Sequence, residues 1–155
     1  MGFELTSSAF PYGEAIPSRY TCDGEDVSPP LGWSLPPSGT KALVLISDDP
    51  DAPRGTWVHW LVYNLPPTIR QLEEAFPADA ELPDGTKQGT TDFGRTGYGG
   101  PCPPSGIHRY FFKLYALDRT LPLVPGATAR EVEETMQGHI LAQAQLMGTY
   151  RRKGR

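Results

Sequence analysis

Hydrophobic residues are concentrated in three stretches whose pattern is typical of β-strands. Residues 42–47 form a continuous apolar run bounded by turn residues, as expected for a strand that is buried on both faces. Residues 57–64 form a second strand that stops at a Leu-Pro-Pro sequence, and residues 107–118 form a third. The sequence therefore predicts three strong strands, and polar residues follow or interrupt each of them.

Side-chain alternation within the two longer strands predicts which residues share a face. In residues 57–64, strict alternation places His59 on the same face as Trp57, Leu61 and Tyr63. In residues 107–118, His108 and Tyr110 point the same way, about two residues of rise apart.

The pattern changes after residue 118. Thr128 and Glu131 match a capping box, and apolar residues then recur at helical spacing, with Gly138 as a break or kink and Gly148 as a C-cap. The apolar positions of this predicted helix are Val132, Met136, Ile140, Leu146 and Met147. No strand-helix-strand alternation precedes it. We therefore predict a mainly β protein, a β-sandwich with a Greek-key or mixed central sheet plus one or two C-terminal helices.

Composition favours many short elements in one domain. The chain has 155 residues with 17 Gly and 17 Pro but no short period, which indicates many turns, and its length suits a single domain over residues 1–155. A net charge of -4 and a pI near 5.3 argue against a nucleic-acid partner. The basic tail at residues 151–155 is interpreted as a solvated end.

No targeting signal or membrane span is visible in the sequence, so we expect a cytoplasmic protein without stable membrane insertion. In that compartment Cys22 and Cys102 are expected to be reduced thiols. The alternative is one disulfide that ties the N-terminal loop to the second polar cluster described next.

Two polar clusters stand beside the strands and contain proline, which lowers the entropic cost of fixing their geometry. The first covers residues 48–53 together with His59, and the second covers residues 100–110. Imidazole N–H, tyrosine O–H and loop amide groups can converge on a phosphate or carboxylate, while an aspartate accepts bonds from an amine or hydroxyl of the same ligand. We interpret Asp49, His59, His108 and Tyr110 as such an anion pocket.

Other uses of the same residues stay open at this point. Asp49, His59 and His108 can form a two-histidine, one-carboxylate metal face. An aspartate-oriented histidine can also act as a general base for hydrolysis, with Ser47 or Ser105 as nucleophile. The structural alternative assigns Asp51 to a turn or to an arginine pair, the tryptophans to packing, and His139 to a structural or solvent-facing position.

The two clusters resemble the phosphatidylethanolamine-binding protein family, which includes Raf kinase inhibitor protein. The resemblance rests on Asp-Asp-Pro-Asp-Ala-Pro at 48–53, Trp-x-His-Trp at 57–60 and Gly-Pro-Cys-Pro-Pro-Ser-Gly-x-His-Arg-Tyr at 100–110. Further similar segments at 21–31, 91–94 and 146–150 extend it over nearly the whole chain, in the form of small bacterial and archaeal members. It implies a Greek-key β-sandwich with a small anion pocket at one end.

The resemblance also implies which residues bind the ligand. These residues are Asp49, Pro53, His59, Gly100, Pro101, Cys102, Pro103, His108 and Tyr110. Cys102 occupies a position where the family has glycine, which is expected to alter one amide contact.

The function implied is that of a binding module or regulator without turnover and without a cofactor. Its ligand would be a phosphoethanolamine-like head group or a phosphorylated partner protein. Because the chain ends soon after Tyr150, lipid binding and kinase inhibition are not carried over from the animal proteins. A hydrolase or metalloenzyme that uses the same Asp and His groups is the alternative, and the sequence is compatible with a homodimer.

Overall fold

The computed structural model describes residues 2–152, and within them short strands and loops surround four long strands. The strands are β1 (Leu5–Thr6), β2 (Leu31–Trp33), β3 (Ala42–Asp49), β4 (Trp57–Leu65), β5 (Gln71–Leu72), β6 (Lys87–Gln88), β7 (His108–Leu117) and β8 (Ile140–Tyr150). The helix α1 spans Ala129–Met136, and a single 3-10 turn lies at Ser18–Tyr20.

These strands form two antiparallel sheets. The smaller sheet has the order β1-β2-β5, and the larger has the order β6-β4-β3-β7-β8. Within the larger sheet, β7 returns to lie beside β3, so β3, β4, β6 and β7 have the Greek-key order. The predicted mainly β sandwich with a Greek-key sheet is therefore confirmed, with one helix before the last strand.

Strand β3 is buried on both faces because a hydrophobic core lies on each side of the larger sheet. Between the two sheets, Leu45 belongs to one core with Trp33 of the smaller sheet. On the opposite side, Val44 belongs to a second core with Val132 of α1. Alternate residues of β3 thus enter different cores, which explains its continuous apolar sequence.

The predicted capping box is confirmed: the Thr128 hydroxyl accepts a bond from the Glu131 amide, and the Glu131 carboxylate accepts one from the Thr128 amide. The predicted continuation of the helix is wrong, because α1 ends at Met136 and residues 140–150 form β8. Gly138 adopts a φ of 80°, which turns the chain back toward the sheet.

Gly148 is accordingly not a helix cap. It pairs with Tyr110 of β7, and a Cβ at this position would lie 2.5 Å from Ile16 Cγ1 and 2.7 Å from Phe10 Cε2. The apolar spacing that resembled a helix belongs instead to an alternating strand, in which Ala144, Leu146 and Tyr150 are buried. Residues 140–150 form a strand rather than a helix because they pair with β7 along its whole length.

Among residues 2–152, no helix has the length and apolar character needed to cross a bilayer. The end of the basic tail at residues 153–155, which the sequence assigns to solvent, lies outside the described residues. Within the described part, Arg151 is exposed and Arg152 forms an ion pair with Asp23.

Candidate functional site

The two polar clusters meet in one pocket of about 200 Å³ at an end of the larger sheet. At this end β3 finishes, β4 and β7 begin, and the three strands are neighbours in the sheet. The residues that line the pocket are Asp49, Ala52, Pro53, Trp57, His59, Phe93, Cys102, Pro103, Pro104, His108 and Tyr110. Seven of the nine residues implied by the family resemblance are therefore brought together here.

A bulge in β4 turns His59 toward this pocket. Ser47 pairs with Trp60 and Asp48 pairs with Val58, so His59 is an extra residue on its strand. The alternation changes phase at this point, and the imidazole ring lies 5.3 Å from the ring of Tyr110.

His59 shares the predicted face with Trp57, which also lines the pocket, but the prediction is wrong for Leu61 and Tyr63. Strict alternation places His59 with Leu61 and Tyr63, but these two side chains lie in the core beside α1, on the opposite side of the sheet. The extra residue in β4 is the physical reason, because one inserted residue reverses the inward and outward positions on the strand.

His59 is buried and hydrogen-bonded to the protein through one ring nitrogen. Its Nδ1 lies 2.6 Å from the carbonyl oxygen of Gly99, and because a carbonyl only accepts, Nδ1 carries the proton. Burial lowers the pKa of His59, while the Gly99 bond and the negative charge of Asp49 partly oppose this. In the neutral ring, Nε2 is therefore left as an acceptor, and it becomes a donor when the ring is protonated.

His108 is paired with Asp49 at the base of the pocket. The distance from His108 Nδ1 to Asp49 Oδ2 is 2.7 Å, and the two side chains are only 9% and 5% exposed. The other Asp49 oxygen accepts the Asp51 amide at 2.7 Å. The carboxylate thus orients the ring and leaves its Nε2 available, as at His59.

Tyr110 supplies a third polar group. Its hydroxyl is buried and makes no hydrogen bond of ordinary geometry within the described structure. Burial raises the pKa of Tyr110, the nearby charge of Asp49 raises it further, and the main chain of Cys102 partly opposes the rise. A buried hydroxyl without a partner, next to two available imidazole nitrogens, is a group that a ligand would satisfy.

An aromatic wall completes the pocket, and the sequence did not predict it. Trp57 and Phe93 meet edge to face with ring centroids 5.6 Å apart, and Phe93 lies 5.2 Å from the His59 ring. Trp57 was assigned to packing. Phe93 lies between glycines in a stretch without strand periodicity, so only its place in the segment 91–94 that resembles the family gave a signal.

Gly100 and Pro101, by contrast, do not line the pocket. The Gly100 amide donates to Asp26 Oδ1 at 2.7 Å, and the Pro101 carbonyl accepts from the Cys22 amide at 3.1 Å. Both residues fasten the pocket wall to the loop at residues 21–26. Their role here is positional.

The prediction that Cys22 and Cys102 are reduced thiols is wrong. Cys22 and Cys102 form a disulfide, with 5.4 Å between their Cα atoms, across 80 positions of sequence. The bonds of Gly100 and Pro101 bring the two segments together, a long-range contact that no local pattern reveals. The alternative of a bridge from the N-terminal loop to the second cluster is the one observed.

The structural assignments of Asp51 and His139 are confirmed. Asp51 accepts bonds from the Arg109 side chain at 2.8 and 2.9 Å, and these hydrogen bonds lower the pKa of Asp51 to about 2. His139 lies far from the two clusters in sequence, where its Nδ1 pairs with Asp118 at 2.8 Å. Of the tryptophans, Trp60 is fully buried and bonds to Gln88.

The geometry gives limited support to the chemical alternatives. Within the described range, no three His, Cys, Asp or Glu side chains are placed to bind a metal ion together. The hydrogen-bond partners of the two pocket histidines are Gly99 and Asp49 rather than Ser47 or Ser105.

Comparison with known proteins gives a consistent result. The family model described as phosphatidylethanolamine-binding protein matches residues 6–151. A UPF0098 protein of Methanothermobacter thermautotrophicus is 56% identical over 148 residues, which cover 96% of this chain and 98% of that protein. A UPF0098 protein of Aquifex aeolicus is 56% identical over 152 residues, covering 96% and 88%.

Solved structures show the same fold. The crystal structure of a putative phosphatidylethanolamine-binding protein homologue from Chlamydia trachomatis has a TM-score of 0.90 at 45% identity, and the match covers 98% of this chain and 99% of that one. E. coli YbcL, described as a member of the mammalian family, has a TM-score of 0.89 at 34% identity, covering 99% and 100%.

Proposed function

This chain belongs to the phosphatidylethanolamine-binding protein family, and from that premise we propose that it is a binding protein whose pocket takes a small phosphate-bearing ligand. The ligand would be a phosphoethanolamine-like head group or a phosphorylated side chain of a partner protein that this chain regulates. The observation that carries the proposal is a set of three polar groups on buried side chains, the Nε2 atoms of His59 and His108 and the Tyr110 hydroxyl, that remain for a ligand.

The charges of the residues that line the pocket determine how phosphate binding depends on protonation. Among the described residues, those that line the pocket include Asp49 but no Lys or Arg. A phosphate group next to that carboxylate is favoured only where donors separate the two anions, and a protonated imidazole is the strongest such donor available. Binding should therefore be coupled to the uptake of a proton.

We expect affinity for phosphoethanolamine to rise as pH falls through the histidine range. Because burial lowers the pKa of His59, the ring is neutral in the empty pocket at neutral pH, and a bound anion favours its protonated form. Uptake of one proton corresponds to a gain of up to about tenfold in affinity per pH unit, which ends once the pH reaches the pKa of the ring in the empty pocket. Calorimetric titration at several pH values measures this.

Glycerophosphoethanolamine provides the control, since a phosphodiester keeps a single negative charge throughout this range. The same pH dependence for both ligands assigns the proton to the protein. An affinity that is independent of pH for both ligands would contradict the mechanism.

The Asp49–His108 pair at 2.7 Å also has the geometry of an oriented general base, so hydrolysis is the second candidate. Incubation with phosphoethanolamine separates the two functions. A hydrolase releases inorganic phosphate, whereas a binding protein leaves the ligand intact. Metal analysis of the purified protein adds a second readout, because stoichiometric zinc or iron would favour the enzyme.

A further inference from the structure

The disulfide lies in the wall of the proposed ligand pocket. Cys102 lines the pocket, and its sulfur is bonded to Cys22, which belongs to the loop at residues 21–26 outside it. A covalent bond therefore joins one wall of the binding site to a separate segment of the chain.

Few other contacts fix this wall. Gly100 and Pro101 are fastened to the 21–26 loop by their main-chain bonds to Asp26 and Cys22. From residue 102 to residue 106, the described structure shows no backbone–backbone hydrogen bond, and the sheet resumes only at His108. The disulfide thus marks the start of the segment of the pocket wall, residues 102–106, that no backbone–backbone hydrogen bond holds to the sheet.

The bridge is also within reach of solvent. Cys102 is exposed and Cys22 is half-buried, unlike the core side chains around them. Exposed disulfides are the ones that undergo thiol exchange readily, whereas buried structural disulfides are inert. The chain could therefore lose this bond without first unfolding.

We propose that the Cys22–Cys102 pair is a redox switch that regulates the pocket, with the disulfide form binding the phosphate ligand more tightly than the dithiol form. This rests on the proposed binding function. Reduction releases the wall at Cys102, and the ligand must then order that segment again on binding, which lowers affinity.

A dithiol is the chemical class of reductant that the switch requires. Its thiolate bonds to Sγ of the exposed Cys102, the Sγ–Sγ bond breaks, and Cys22 leaves as a thiolate that takes up a proton. The second thiol of the reductant then displaces Cys102 from the mixed disulfide. Two electrons and two protons pass to the protein, and the reductant becomes a disulfide.

Proline limits the size of the effect. Pro101, Pro103 and Pro104 fix φ along the wall, so reduction frees less backbone than it would in a glycine-rich loop. The main-chain bonds of Gly100 and Pro101 also persist. We therefore expect a weakening of about tenfold rather than a complete loss of binding.

The test is calorimetric titration of phosphoethanolamine into the oxidised protein, into the protein reduced with dithiothreitol, and into the Cys22→Ser variant. Cys22 lies outside the pocket lining, so this variant removes the bridge without removing a pocket side chain. We expect the reduced protein and the variant to bind equally, both about tenfold more weakly than the oxidised protein.

The outcomes separate the switch from the proposed function. Equal affinity in the oxidised and reduced forms overturns the switch and leaves the binding function intact. Absence of binding in the oxidised form overturns the binding function, and the switch with it.

Amide hydrogen exchange shows whether weaker binding after reduction comes from a local change in the pocket wall or from unfolding of the protein. Reduction should raise amide exchange at Cys22 and Gly100, whose bonds to Pro101 and Asp26 open more often without the bridge but form again, and should leave β3 and β7 protected. Increased exchange throughout β3 and β7 would show that the bridge holds the whole sheet together, and would overturn a switch confined to the pocket wall.

Discussion

Replacing His108 with alanine is expected to weaken phosphoethanolamine binding by about 10- to 100-fold, because a hydrogen bond to a charged group contributes about 1.5–3 kcal/mol. The substitution removes the available Nε2 and also exposes the ligand to the Asp49 carboxylate, which the imidazole otherwise separates from it. Calorimetric titration at constant pH and salt measures the loss.

The variant should remain folded. Asp49 keeps its bond from the Asp51 amide at 2.7 Å when its imidazole partner is absent. Circular dichroism and thermal unfolding verify this. If His108→Ala instead unfolds the protein, the buried pair serves the fold rather than the ligand, and the functional assignment of His108 is wrong.

His139 offers a matched control for this experiment. Its Nδ1 pairs with Asp118 at 2.8 Å, nearly the 2.7 Å of the His108–Asp49 pair, but it is not among the residues that line the pocket. His139→Ala therefore removes the same kind of aspartate–histidine contact elsewhere. Its phosphoethanolamine affinity should equal that of the unmodified protein.

Replacing Gly100 with alanine is expected to lower the free energy of unfolding by about 3 kcal/mol, through overpacking and loss of a hydrogen bond. A Cβ at this position would lie 2.3 Å from the Tyr20 carbonyl oxygen and 2.5 Å from Asp26 Oδ1. The first contact is with main chain, which cannot rotate away. The second contact is with Asp26 Oδ1, the oxygen that accepts the hydrogen bond from the Gly100 amide. Moving the 21–26 loop away from the new Cβ therefore also weakens this hydrogen bond.

Chemical denaturation with urea measures this change, and Gly32→Ala is the control. Gly32 lies in β2, where the nearest atom to an added Cβ is the Arg70 carbonyl oxygen at 3.9 Å, an ordinary contact distance. Its stability should change by less than about 1 kcal/mol. Equal stability of the two variants would show that the close approach at Gly100 does not constrain the fold.

This second prediction also distinguishes two roles for glycine in the wall. The family resemblance assigns Gly100 to ligand binding, yet the structure places it against the 21–26 loop. A defect in stability for Gly100→Ala would support the packing role. The side chains for ligand contact in this segment are then those of Cys102, Pro103 and Pro104.

Local periodicity predicted a large part of this molecule because each residue's face in a regular strand depends only on its neighbours in sequence. Strand β7 shows this well, since His108 and Tyr110 both point into the pocket as alternation requires. The capping box of α1 is equally local. The ordered polar motifs identified the family, and the comparisons confirmed it.

Periodicity failed wherever a distant segment decided the conformation. Residues 140–150 satisfy helical and strand spacing alike, and pairing with β7 selects the strand. Phe93 enters the pocket wall through contacts with Trp57 and His59, residues more than thirty positions earlier in the chain. No property of its own segment specifies that position.

The sequence by itself determined the strands β3, β4 and β7, the β-sandwich class and the chemical character of the two polar clusters, since these follow from side-chain type and local spacing. Tertiary structure alone decided that the bulge directs His59 into the pocket and that Cys22 reaches Cys102. Both depend on the register and approach of segments far apart in the chain, which are set by the packing of the whole sheet rather than by any local preference.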